Sequence, residues 1–185
     1  MLATVQLIRQ SSSTCENYDA ASKRLEFREE NTDRTGPQMK IVYIDMDDTL
    51  CDFEGAFSKA LEMNPTVRYP QSQYRFFANL LPIEGAIETV NRLINSDEYD
   101  PYILSAPSTK NPFSYAEKRE WIELYFGYDF CENLILCGQK GLLKGDFLID
   151  DNHEGKGQEL FEGELIQFGS CAYPNWAAVR TRLGI

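Results

Sequence analysis

A short apolar run, Ile41-Val42-Tyr43-Ile44, ends abruptly in Asp45-Met46-Asp47-Asp48-Thr49. The run has the length and β-branched content of a buried strand. Three carboxylates crowd its exit. Their mutual repulsion is costly unless positive charge sits among them, either a bound cation or a lysine. The Asp-x-Asp spacing also lets two carboxylates face one site in different roles, one as nucleophile and one as general acid/base.

From Met39 onward, strand-like and helix-like segments alternate. Strands are expected at 41–45, 102–105, 134–136, 147–149 and 165–168. Helices are expected at 53–62, 71–80, 84–95, 114–126 and 175–182. This alternation predicts an α/β fold, a Rossmann-like parallel sheet flanked by helices on both faces. Ile87, Val90, Leu93 and Ile94 form the apolar stripe of a covering helix. Asn111-Pro112 and Ser114 read as the turn and N-cap of the next one. The stretch at about 53–82 breaks the rhythm with two helical segments rich in aromatics. It predicts a small helical cap inserted after the first strand.

The chain has 185 residues, enough for one domain with a substantial core. The sequence divides into a polar N-terminal extension, 1–38, and a domain over 39–185. In the extension, TVQLI reads as a short strand and YDAASKRLEFREE as a helix. No apolar run approaches the roughly 20 residues of a membrane span. The first residues lack the basic start and sustained apolar stretch of a signal peptide. Five cysteines, an odd number without metal-like spacing, read as reduced thiols, so a cytoplasmic location is expected. Residues 1–40 hold six basic and six acidic side chains, so the net charge of −11 resides in the remainder. That argues against a nucleic acid polymer or an anionic membrane as partner. A small anionic substrate fits only where local cations override the field. Assembly as a homodimer is left open.

Ligands of open parallel sheets bind outside the carboxyl ends of the strands. Those ends carry Asp45, Asp47, Asp48 and Thr49; then Ser105-Ala106-Pro107-Ser108; then Gly138-Gln139-Lys140-Gly141; then Asp150-Asp151-Asn152. Asp45 suits in-line attack on phosphorus. Asp47 suits protonation of the leaving oxygen and later activation of water. Asp45, Asp47, Asp150 and Asp151 are candidate ligands of a hard divalent cation, for which Mg2+ fits this chemistry. Lys140 would offset equatorial charge, with Lys144 as its rival, and Ser105 would hydrogen-bond phosphate. Taken singly, a strand-end Asp is ordinarily a turn former and Lys140 a solvated loop residue. His153 reads as a surface residue. The joint order carries the signal.

That order resembles the haloacid dehalogenase superfamily of phosphohydrolases, and more closely the 5'(3')-deoxyribonucleotidase family. The resemblance rests on Asp45–Phe53, on Pro82-Ile83-Glu84-Gly85-Ala86, on Ser105-Ala106-Pro107, on Glu117-Lys118-x-x-Trp121 and on the spacing from Lys140 to Asp150-Asp151. It implies Asp45 as nucleophile and Asp47 as acid/base, with the Asp47 backbone carbonyl also on the metal. It implies Ser105, Lys140 and Lys118 around phosphate, Asp150 and Asp151 at the metal, and Phe53 against the base or sugar. Members often carry Gly-Val where this chain has Asp48-Thr49, and a second hydroxyl where it has Ala106.

The expected activity is therefore that of a Mg2+-dependent phosphomonoesterase working through an aspartyl-phosphate, with nucleoside monophosphates as substrates. A phosphatase of another metabolite, such as a sugar phosphate, is the alternative enzyme. A phosphoacceptor signalling domain gathers similar groups, but its acidic pair and its phosphorylated Asp lie on different strands. A chain beginning at Met39 is expected to fold and to keep its turnover of an aryl phosphate. Insolubility or inactivity of that chain would mean that residues 1–38 pack on the domain.

Overall fold

In the computed structural model, which describes residues 38–185, the apolar run forms β1 (Lys40–Ile44) at the centre of a five-stranded sheet. β2 (Tyr99–Ser105) and β3 (Leu134–Leu136) lie to one side of it. β4 (Phe147–Asp150) and β5 (Glu164–Gln167) lie to the other, in the order β3-β2-β1-β4-β5. Every pairing is parallel, with Ile44 opposite Ile103 on one side and Ile149 on the other. All but one residue of the expected extension lies outside the described residues, as do its strand and helix.

Period two along the strands divides the core. Val42, Ile44, Ile103, Ile149 and Ile166 face a large cluster. Tyr43, Leu104 and Leu148 face a smaller one. The large cluster takes residues from α1 (Phe53–Met63), α2 (Ala86–Ile94), α3 (Ser114–Phe126) and α4 (Trp176–Leu183). Among the described residues, the smaller one is covered by Leu143, Cys137 and Phe161 from loops and short 3-10 turns. Right-handed crossovers account for the difference. The chain runs outward from β1 to β3 over one face, then reverses direction and returns to β4 and β5 over the other. Those return connections are short and close-packed. A Cβ on Gly141 would lie 2.6 Å from the Gly157 carbonyl oxygen and 2.6 Å from Leu160 Cβ.

Three local expectations change. The helix expected at 71–80 is a single 3-10 turn, Pro70–Ser72, followed by irregular backbone. Arg75 there is left-handed, with φ 62°, which ends any helix for a non-glycine residue. Ser114 is the first residue of α3 and does not cap it, since no side chain bonds the helix N-terminus. Its hydroxyl instead accepts the Ser108 N–H, and Asn111 Oδ1 accepts from Phe113 N–H. β2 also begins three residues earlier than the apolar signal, because Asp100 and Pro101 interrupt the alternation while the strand still pairs with β1. No helix among the described residues is long and apolar enough to cross a membrane.

Candidate active site

The sheet reverses its winding between β1 and β4, and the carboxyl ends of these two strands open the crevice where such folds place ligands. The Asp45 N–H still donates to Ile149 O, so the ladder holds the first carboxylate in register. Beyond it the chain turns tightly, with Leu50 N–H and Cys51 N–H both donating to Met46 O. Asp48 takes the left-handed conformation (φ 56°) that the turn requires. Its Oδ1 accepts the Glu54 N–H, and Asp52 accepts from Gly55 N–H, so both acids serve the start of α1. Thr49 is fully buried; its hydroxyl accepts Asp151 N–H and donates to Asp151 Oδ1, tying the β1 exit to the β4 exit.

Two lysines neutralise the acids from opposite faces of the sheet. Lys140, 2% exposed, places Nζ 2.6 Å from Asp45 Oδ1 and 2.5 Å from Asp150 Oδ2. Burial opposes its charge, but Asp45 and Asp150 more than offset that and hold its pKa above the ordinary value. Lys144, the rival, is exposed. Lys118, fully buried on α3, donates to Asp47 Oδ1 at 2.7 Å and to Ser105 Oγ at 2.8 Å. It also lies 4.9 Å from the Phe77 ring centre. Burial pushes the Asp47 carboxyl above the usual range; Lys118 pulls the other way and Asp45 adds to the rise.

Asp45, Asp150 and Asp151 each offer a carboxylate oxygen within 4.8 Å of the others. Asp150 is fully buried, and Gln158 Nε2 and Asn152 N–H donate to it. Burial, then the charges of Asp45, Asp150 and Asp48, push the Asp151 carboxyl up to about 7. An all-oxygen set with surplus negative charge fits a hard divalent cation.

Some of these groups open onto a cleft of about 350 Å3. Asp45, Asp47, Phe53, Lys140 and Asp151 line it. Ser105, Lys118 and Asp150 are not among its lining residues and stand behind it. Phe53 forms its aromatic side, backed by the buried Phe77 with ring centres 5.9 Å apart. The loop after β2 supplies Pro107, Ser108, Thr109 and Lys110. Gln71 lines the cleft, and its Oε1 is buried without a hydrogen-bond partner among the described residues. His153, with a 65% exposed side chain, is a surface residue.

Sequence reasoning missed Gln158, which lies between two strands with no periodic pattern to mark it. It named Glu117 in a motif but gave it no role, although α3 gave a usable signal. The buried stripe of that helix runs through Ser114, Glu117, Lys118, Trp121 and Ile122, so two charged residues occupy positions that should be apolar.

Residues 61–175 match the family model described as 5' nucleotidase, deoxy (pyrimidine), cytosolic type C protein. A protein of Vibrio phage KVP40 is 38% identical over 147 residues, covering 77% of this chain and 84% of its own. The human 5'(3')-deoxyribonucleotidase, cytosolic type, is 31% identical over 160 residues, covering 70% of this chain and 80% of its own. The Bacillus subtilis 5'(3')-deoxyribonucleotidase is 30% identical over 151 residues, with coverages of 70% and 84%. In structure, the magnesium-bound HAD-hydrolase YfnB from Bacillus subtilis superposes with a TM-score of 0.54 at 14% identity. That match covers 80% of this chain and all of the other, a likeness of fold.

Lys140→Met removes the cation between two buried carboxylates. In the presence of a chelator, this substitution is expected to destabilise the protein by about 3–5 kcal/mol. A second substitution, Asp150→Asn, should recover part of the loss. Urea unfolding checks both, and a Lys140→Met protein as stable as wild type would mean that the lysine does not balance the acids.

Proposed function

The chain belongs to the 5' nucleotidase, deoxy, cytosolic type C family of haloacid dehalogenase-like hydrolases, and on that premise we propose that it hydrolyses nucleoside monophosphates through an aspartyl-phosphate. One observation carries the mechanism. Asp45 and Asp47 leave the same strand two residues apart but keep different electrostatic company. Asp45 is paired with Lys140. Asp47 is raised by burial toward holding a proton, and Lys118 fixes it in place. Two carboxylates with separated environments divide naturally into nucleophile and acid.

In the first step an Asp45 oxygen forms a bond to phosphorus while the bond to the ester oxygen breaks. Asp47 gives its proton to the leaving oxygen. In the second step Asp47 takes a proton from water, and the water oxygen attacks phosphorus. The phosphorus–Asp45 bond breaks, releasing inorganic phosphate and regenerating the carboxylate. Lys118 orients Asp47 in both steps. Ser105 Oγ accepts from Lys118, so this fully buried hydroxyl steadies the lysine from behind the cleft. Lys140 balances Asp45 before and after attack. Asp45 and Asp151, with Asp150 behind them and the Asp47 backbone carbonyl, would hold Mg2+, which when bound neutralises charge on the approaching phosphate dianion.

The names of the human and Bacillus subtilis relatives support a deoxynucleotide as substrate. The aromatic side of the cleft supports a ring beyond the phosphate. Turnover of a panel of nucleoside monophosphates and sugar phosphates, with and without Mg2+, tests the reading; activity on sugar phosphates alone would overturn the nucleotide assignment.

Asp45→Asn is nearly isosteric and should leave the fold intact while lowering kcat by roughly 10^3-fold or more, as loss of a nucleophile does. Near wild-type turnover by the folded variant would refute attack by Asp45. Chelation should abolish activity. Mg2+ at about 100 times its dissociation constant should stabilise the protein by about 2.7 kcal/mol. Chelator-treated protein that keeps full activity and an unchanged Tm would contradict the metal site.

A further inference from the structure

Glu117 is 4% exposed, and both of its oxygens accept backbone N–H groups. Oε1 accepts from Arg75 N–H at 2.8 Å and Oε2 from Phe77 N–H at 3.0 Å. Both amides belong to the irregular stretch after the Pro70–Ser72 turn, where no ladder holds the backbone. The same stretch is tied to α3 by an exposed bidentate pair between Arg75 and Glu120 and by Trp121 Nε1 donating to Leu80 O at 2.9 Å. Phe77, whose amide Glu117 holds, is 1% exposed and backs the Phe53 ring on the aromatic side of the cleft.

The next residue of α3, Lys118, holds Asp47. Adjacent buried charges on one helix thus grip two sides of the cleft, the acid and the aromatic wall. A covering helix gains nothing from burying a carboxylate at such a position, since an apolar side chain would pack there without the cost of desolvation. The two backbone bonds give the carboxylate a use that an apolar residue could not supply.

We infer that Glu117 is a positioning residue for substrate selection. Through the Phe77 backbone it sets the distance between the aromatic wall and the reacting carboxylates, and so decides how well the organic part of the phosphomonoester is held. It takes no part in phosphoryl transfer. The inference rests on the phosphomonoesterase reading of the cleft.

Glu117→Gln tests it, because the isosteric amide keeps one acceptor and turns an N–H donor toward a backbone N–H. For a pyrimidine deoxynucleoside monophosphate, KM should rise at least about tenfold while kcat changes less than about threefold. Acetyl phosphate, which has no ring to reach the aromatic wall, should be turned over within about twofold of wild type. Amide hydrogen exchange at Arg75 and Phe77 should accelerate. Glu117→Asp, which keeps both acceptors but is shorter, should shift KM in the same sense by less, and it serves if the amide variant does not fold. Arg75→Ala removes the exposed pair with Glu120 and a contact with Tyr74, keeps the backbone N–H that Glu117 accepts, and should leave both substrates unaffected. Equal losses on both substrates, unchanged exchange at the two amides, or an Arg75→Ala protein that reproduces the KM shift would each overturn the inference. If wild type turns over acetyl phosphate but no nucleotide, the nucleotide reading fails, while the exchange at Arg75 and Phe77 still decides the role of Glu117.

Discussion

Two buried ammonium groups hold the cleft together. Asp45 and Asp150 are nearly or fully buried and share Lys140 between them; Asp47 leans on Lys118. Carboxylates this close in a poorly solvated pocket repel strongly, and none of the surrounding apolar packing offsets that repulsion. Each lysine reaches the sheet from a different face, Lys118 on α3 and Lys140 on the 3-10 turn after β3. The acids therefore become compatible only when both layers are assembled on β1. Charge balance and tertiary structure are one condition here.

The reversal of winding at β1 explains why this happens at one place. β1 is central, so its exit is flanked by the ends of β2 and β4, and residues far apart in sequence reach it from both sides. Ser105 arrives from β2, and Asp150 and Asp151 from β4. The thinner face contributes the lysine that meets the buried pair, and Gln158, whose amide donates to Asp150. The thicker face contributes the helix that grips Asp47 and the aromatic wall.

Much of this is legible in the sequence alone. Strand-end carboxylates, a lysine in the loop after the third strand and a late acidic pair announce themselves by order, because parallel strands must present their ends together. What sequence chemistry could not separate was Lys140, buried against Asp45 and Asp150, from the exposed Lys144. The helix expected at 71–80 failed for a local reason: composition alone does not reveal the left-handed residue at Arg75. The buried role of Glu117 was hidden because a Glu-Lys pair in a helix ordinarily reads as a solvated face. Gln158 left no mark at all, since its contacts depend on two close-packed turns rather than on any period.

The Asp48-Thr49 pair, where the family often has Gly-Val, can now be understood as a different solution to the same backbone problem. The turn after Asp47 needs a left-handed residue. Glycine meets that need without steric cost, whereas aspartate meets it with some strain and adds an acceptor for the first turn of α1. Threonine likewise fills the space of valine, but its hydroxyl also fastens the loop to Asp151. The pair therefore changes how the loop is anchored, and because Asp48 also lines the cleft and its charge adds to the rise of the Asp151 carboxyl, it changes the field that a ligand meets as well. A loop position that satisfies the backbone thereby also sets part of the charge at the acidic cluster.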